Sequence, residues 1–318
     1  MWNTRNKILT VLLLVITVLL VLDYTVGSEK QTSLPDSLLE VDTSQIYKIV
    51  FFPNNEQEKQ VVLRKEQAFW VVKTEKNKYP ADRDKVQFIL ETLVQLRPTQ
   101  VVADNPKQWQ EYGVIDTSSL NILIFDNRDK ELGHLFAGRI KSSDVSNTYA
   151  MGQNQQFYTY VRRKGDKKVY LVPKLLALTF VNDPKAYCDK TIINLDQAFI
   201  NSVSLKTVKD SFNLLRQGHL WKIDGKDTDS LKVYYYLQDI AHVEGKEYVD
   251  EADIANMKVL NTLVLNTDIE KQVIVRGYGD TVVSVLWSSQ NPDVYFKAQG
   301  LSERLFRDRL YFISKSEQ

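Results

Sequence analysis

Residues 82–96 read DRDKVQFILETLVQL and residues 229–243 read DSLKVYYYLQDIAHV. In the first stretch Val86, Ile89, Leu90, Leu93 and Leu96 fall at steps of three and four, the spacing that lines one face of a helix. In the second, Val233, Tyr236, Leu237, Ile240 and Val243 repeat that register about 147 positions later without a gap. Asp82 and Asp229 occupy the same place ahead of the two patterns, where a side-chain oxygen caps the first free N–H groups. Two copies of one unit account for this match, and a long internal period makes the body a pair of related modules.

The flanking sequence repeats as well. Three apolar-rich runs separated by polar turns (46–52, 60–63 and 68–72) predict an antiparallel meander ahead of the first helix. The runs at 202–205, 211–215 and 219–223 predict another ahead of the second, with Leu220-Trp221 standing against Phe69-Trp70. Further on, 121–127 (NILIFDN) aligns with 261–267 (NTLVLNT), and each leads through a charged turn to a further strand, at 132–137 and 272–275. The first module continues with strands at 157–161 and 168–172, whose turn at Gly165-Asp166 suits positive φ, and then a short helical piece at 173–180. The second continues with strands at 281–286 and 294–297 and closes on 305–313.

At the amino end, 8–22 reads ILTVLLLVITVLLVL behind Arg5 and Lys7. Extended to Val26, a helix here is about 28 Å long at ~1.5 Å per residue, close to the ~30 Å apolar core of a bilayer. Thr25-Val26-Gly27 is a poor cleavage site, so an uncleaved anchor is expected over a removed signal. Arg5 and Lys7 place the amino end in the cytoplasm by the positive-inside rule. The remainder is then periplasmic, on a bacterial inner membrane. The expected class is α+β: an N-terminal transmembrane helix, then two tandem related modules, each an antiparallel sheet meander with one main amphipathic helix. The expected divisions are a cytoplasmic tip at 1–7, the anchor at 8–26, a linker at 27–44, module one at 45–195 and module two at 196–318.

Composition excludes several functions. With 41 Lys+Arg against 40 Asp+Glu in 318 residues the formal charge is +1, so neither a basic surplus for nucleic acid nor an acidic disordered tail is present. Cys188 is the single cysteine and closes no intramolecular disulfide. His134, His219 and His242 lack metal-ligand spacing. No G-x-S-x-G elbow and no phosphate-binding glycine pattern is present, and Gly277-Tyr278-Gly279-Asp280 reads as a hairpin turn. Acidic pairs such as Asp250-Glu251, or Glu303 with Asp308, do acid-base work only in a cleft that fixes their separation. No enzyme activity, cofactor or metal is therefore expected.

The aromatic residues point to binding. Tyr234-Tyr235-Tyr236 are about 100° apart on a helix, so all three cannot share the face of Val233, Leu237 and Ile240. Either the helix buries a wide stripe, as Phe88 opposite Tyr235 favours, or some rings form an exposed patch. The long polar stretch 141–156, with Tyr149 and Met151, is a second candidate surface. The candidate partner-binding residues are Tyr234, Tyr235, Tyr149 and Met151.

The order of an amino-terminal apolar segment, Phe69-Trp70, Pro80-Ala81-Asp82, the amphipathic helix, Tyr112-Gly113-Val114, residues 165–172 (GDKKVYLV) and residues 188–192 (CDKTI) resembles the DUF4340 family of bacterial envelope proteins. The family's Tyr-Gly segment usually continues as Leu-x-Pro, where this chain has Val114-Ile115-Asp116, and a family Arg-Asp-Lys is Cys188-Asp189-Lys190 here. The resemblance implies an accessory partner of gliding-type ABC transporters. The expected function is a non-catalytic, membrane-anchored periplasmic interaction subunit associated with an ABC-type transporter complex. The alternative is a glycan- or peptide-binding module using a groove between the two modules, and a carboxylate hydrolase is a third reading.

Overall fold

A computed structural model describes residues 16–17, 34–74, 77–142, 156–249, 254–269 and 271–313. Two compact units divide the chain, one of Met1–Lys65 with Val86–Asp183, the other of Glu66–Lys85 with Pro184–Gln318.

The described strands up to residue 172 are β1 (Lys48–Pro53), β2 (Val61–Glu66), β3 (Phe69–Lys73), β4 (Lys78–Pro80), β5 (Gln100–Ala103), β6 (Leu120–Phe125), β7 (Glu131–Ser142), β8 (Phe157–Arg163) and β9 (Val169–Val172). Seven of these belong to the first unit, in the order β2-β1-β6-β7-β8-β9-β5, while the β3–β4 hairpin belongs to the second. A small sheet pairs β10 (Thr191–Asn194) with β15 (His242–Glu244). The second large sheet comprises β11 (Ile200–Lys206), β12 (Ser211–Gln217), β13 (Leu220–Ile223), β14 (Lys226–Asp227), β16 (Tyr248–Val249), β17 (Lys258–Thr267), β18 (Gln272–Gly279), β19 (Val285–Ser288) and β20 (Asn291–Lys297). Its order is β14-β13-β12-β11-β17-β18-β19-β20-β16. The run β12-β11-β17-β18-β19-β20-β16 thus repeats the connectivity of β2-β1-β6-β7-β8-β9-β5.

The repeat extends to side chains. On β1, Ile49 lies between Leu63 of β2 and Ile124 of β6, and Phe51 between Val61 and Ile122. On β11, Val203 lies between Leu214 of β12 and Leu265 of β17, and Leu205 between Phe212 and Leu263. All twelve are buried, because period-two alternation sends them to one face of their sheet. Burying each contributes roughly 1.5–3 kcal/mol, and a one-residue slip would turn the whole row to the other face.

Two 12-residue helices, α1 (Arg83–Val94) and α2 (Ser230–Ala241), are the longest described. Asp82 Oδ1 accepts from the N–H groups of Asp84 and Lys85, and Asp229 accepts from those of Leu231 and Lys232. These caps satisfy donors that the first helical turn leaves open. Buried on α1 are Val86, Ile89, Leu90, Thr92 and Leu93, and on α2 Val233, Tyr236, Leu237, Ile240 and Ala241.

The expected fold class needs correction. The chain is mostly antiparallel sheet, in two large sheets, and no described helix is long and apolar enough to cross a membrane. The longest helices extend only about 18 Å at ~1.5 Å per residue. Short strands such as β4, β5 and β16 alternate too weakly to register in sequence, which is why helix weighed too heavily in the α+β expectation. The segment 8–26 lies outside the described residues apart from Ile16 and Thr17.

Candidate functional site

The surface of α2 is divided by its own periodicity. Tyr236 is 1% exposed and joins the core, whereas Tyr234 and Tyr235 are 52% and 56% exposed, with Leu231 at 67% one turn earlier. The Tyr234 and Tyr235 rings meet edge to face at 5.6 Å. Of the two arrangements open to the three tyrosines, the exposed patch is the one formed. On α1, Phe88 is likewise exposed, at 56%. Tyr149 and Met151 lie outside the described residues.

Beside this patch is an open groove of about 470 Å³ lined by Asn194, Leu195, Asp196, Gln197, Gln238, Ala241 and His242. Its architecture rests on the small sheet. Asn194 and His242 are cross-strand partners on β10 and β15, and His242 Nδ1 lies 2.9 Å from Asn194 Oδ1. Just beyond β10, Asp196 accepts from Ala198 N–H at 2.9 Å and so opens the short turn Gln197–Phe199. Gln197 Nε2 then donates to the carbonyl of Tyr234 at 3.0 Å, tying that turn to α2. The helix's last turn supplies Gln238 and Ala241. Arg304 donates to the carbonyls of Asp239 and His242, so its charge is engaged at the carbonyl end of α2.

The other polar clusters are structural. Arg162 is buried in the first unit, with its guanidinium 3.9 Å from both the Trp109 and Phe136 ring centroids. Its Nε donates to the Val114 carbonyl at 3.0 Å and a terminal nitrogen pairs with Asp116. In the second unit Arg309 bridges Asp210 and Asp224, and those hydrogen bonds hold its pKa above the usual value. Tyr248 stacks on Tyr79 at 4.3 Å and donates to the Asp189 carbonyl at 2.6 Å, and burial pushes its phenol pKa up. Cys188 is buried. No group of His, Cys, Asp and Glu able to hold a metal occurs among the described residues.

His134 is in the first unit, with Nε2 3.0 Å from Asn121 Oδ1 and a buried Nδ1 that has no partner among the described residues. Because the Asn121 amide nitrogen donates to the carbonyls of Asp116 and Ser119, its oxygen faces the ring as an acceptor. Nε2 therefore carries the proton. Desolvation lowers the His134 pKa below 6.5, outweighing the attraction of Glu131. A depressed folded pKa means that the neutral ring's contribution is fully present above about pH 6.5 and is lost as pH falls through the folded value. The melting midpoint of wild type is expected to fall more between about pH 7 and pH 5 than that of His134→Gln. Parallel pH profiles for the two proteins would remove this assignment.

Among the sequence candidates, Tyr234 and Tyr235 come together on one exposed surface. The groove residues Asn194, Asp196, Gln197 and Gln238 were not singled out by sequence reasoning, and His242 appeared only as an isolated histidine. No local signal marks them, since the groove exists through pairing of β10 with β15, which are far apart in sequence.

Fold and surface together define an antiparallel β protein with a duplicated strand order and an exposed aromatic helix face beside a polar groove. A family model described as DUF4340, a domain of unknown function, matches residues 70–263, more than half of the chain. The chain belongs to the DUF4340 family. No curated protein and no solved structure matches it.

Proposed function

We propose that this chain is a non-catalytic accessory subunit of the bacterial envelope, with its folded units on the periplasmic side, that docks onto a protein partner of an ABC-type transporter complex. The observation that carries this reading is the exposed Tyr234–Tyr235 pair beside Leu231 on α2, a helix whose opposite face is fully used in the core. Tyrosine offers large contact area at small entropic cost, and a few such rings dominate most interfaces. Further support comes from the near-neutral charge, which favours shape and apolar contact over bulk electrostatics.

The test is affinity purification of the full chain from native membranes in mild detergent, read by mass spectrometry. A transporter subunit is expected to co-purify stoichiometrically, and Tyr235→Ala is expected to weaken its capture by about tenfold or more. Recovery of the chain with no membrane or periplasmic partner would end the proposal.

A further inference from the structure

The groove beside α2 has a chemistry of its own, separate from the apolar patch. Amide side chains dominate its lining, with one carboxylate and one imidazole, and no Lys or Arg contributes. Part of this polar capacity is already spent. Asn194 Oδ1 engages His242 Nδ1, one Asp196 oxygen caps the following turn, and Gln197 Nε2 is held by the Tyr234 carbonyl. What remains is mixed: the Asn194 amide nitrogen donates, the second Asp196 oxygen and the Gln197 amide oxygen accept, and the Gln238 amide does both.

Alternating donors and acceptors without a fixed cation suit a ligand whose groups both donate and accept. The carboxylate of Asp196 disfavours an anionic ligand, and the nearby Arg304 is occupied by helix carbonyls. The volume of about 470 Å³ falls within the roughly 300–1,000 Å³ of small-molecule clefts. Tyr234 and Gln238 are four residues apart on one face of α2, and the Tyr234 carbonyl is held by the groove residue Gln197. The half-exposed Tyr234 ring is thus carried on the helix that borders the groove, outside the lining itself.

We infer that the groove formed by β10, β15 and the end of α2 binds a short neutral saccharide, whose hydroxyls pair with Asn194, Asp196, Gln197 and Gln238 while a sugar ring lies against Tyr234. This function goes beyond protein docking and does not depend on it: Gln238 lines the groove and lies outside the docking patch of Leu231, Tyr234 and Tyr235, so Gln238→Ala separates the two.

The experiment is isothermal titration of the full chain, in the non-sugar detergent lauryldimethylamine oxide, with cellotriose, maltotriose, triacetylchitotriose and the peptide tetra-alanine. Binding of at least one trisaccharide in the roughly millimolar range or tighter is expected. Gln238→Ala and Tyr234→Ala are each expected to weaken it by about tenfold. Both residues are exposed, so neither change threatens the fold, and circular dichroism of each variant checks this. Three outcomes would overturn the inference: no heat with any trisaccharide, saccharide binding unaffected by Gln238→Ala, or tetra-alanine binding in preference to the sugars.

Discussion

Tyr236→Ala is expected to destabilise the second unit by about 3–5 kcal/mol, the cost of deleting a buried aromatic side chain and leaving a cavity. The ring is fully enclosed, meets Phe312 edge to face at 5.0 Å, and its hydroxyl donates to the Leu305 carbonyl at 2.7 Å. Burial raises the phenol's pKa, so the hydroxyl remains a donor across the range in which the protein is studied. Tyr236→Phe keeps the ring but leaves that carbonyl unpaired, which costs about 1–2 kcal/mol. Its two neighbours in sequence behave differently: Tyr234→Ala and Tyr235→Ala should each fall within about 0.5 kcal/mol of wild type, as exposed substitutions do. Urea midpoints at unchanged slope measure all four variants. Equal losses at Tyr234 and Tyr236 would show that the helix is rotated from the orientation described.

Arg162→Met is the second large effect, expected to destabilise the first unit by about 2–3 kcal/mol, because a buried carbonyl loses its donor and two rings lose their cation, while the exposed Asp116 carboxylate returns to water. The Val114 carbonyl loses its donor, Asp116 loses its partner, and the slot between Trp109 and Phe136 loses the plane that fills it. Arg162→Lys should recover less than half of the loss, since an ammonium has neither the flat face for two rings nor the fork that reaches Val114 and Asp116 together. Trp109 fluorescence in a denaturant titration follows both variants. A lysine variant as stable as wild type would reduce the role of Arg162 to that of a simple charge.

This arginine cluster also shows why the sequence was only partly legible. Tyr112-Gly113-Val114 was visible as a motif, and Gly113 does adopt φ +69° to end the short helix Trp109–Tyr112. A left-handed residue there is a local event that glycine permits on its own. That the next carbonyl, of Val114, would meet an arginine 48 residues further on is not local. In the same way the spacing of Val86, Ile89, Leu90 and Leu93 revealed α1, because a helix writes its buried face into adjacent turns. Strands such as β5 and β16 gave no such pattern, being short edge pieces defined by the strand beside them.

The candidate site divides along the same line. Tyr234 and Tyr235 were readable as rings that the helical face had no room for. The groove was not, since Asn194 meets His242 only after two distant segments pair.

By itself the sequence determined the period of the repeat, the two helices with their aspartate caps, the apolar rows of the central strands and the absence of a dominant charge. These are local or periodic properties, carried by residues a few positions apart. Tertiary structure alone decided that sheet outweighs helix, that Tyr234 and Tyr235 form an exposed patch and are not part of a wide buried stripe, and that amides from β10 and α2 share one groove. Each of those depends on which segments pack together, and long-range packing is chosen by the summed burial of many side chains rather than by any short stretch.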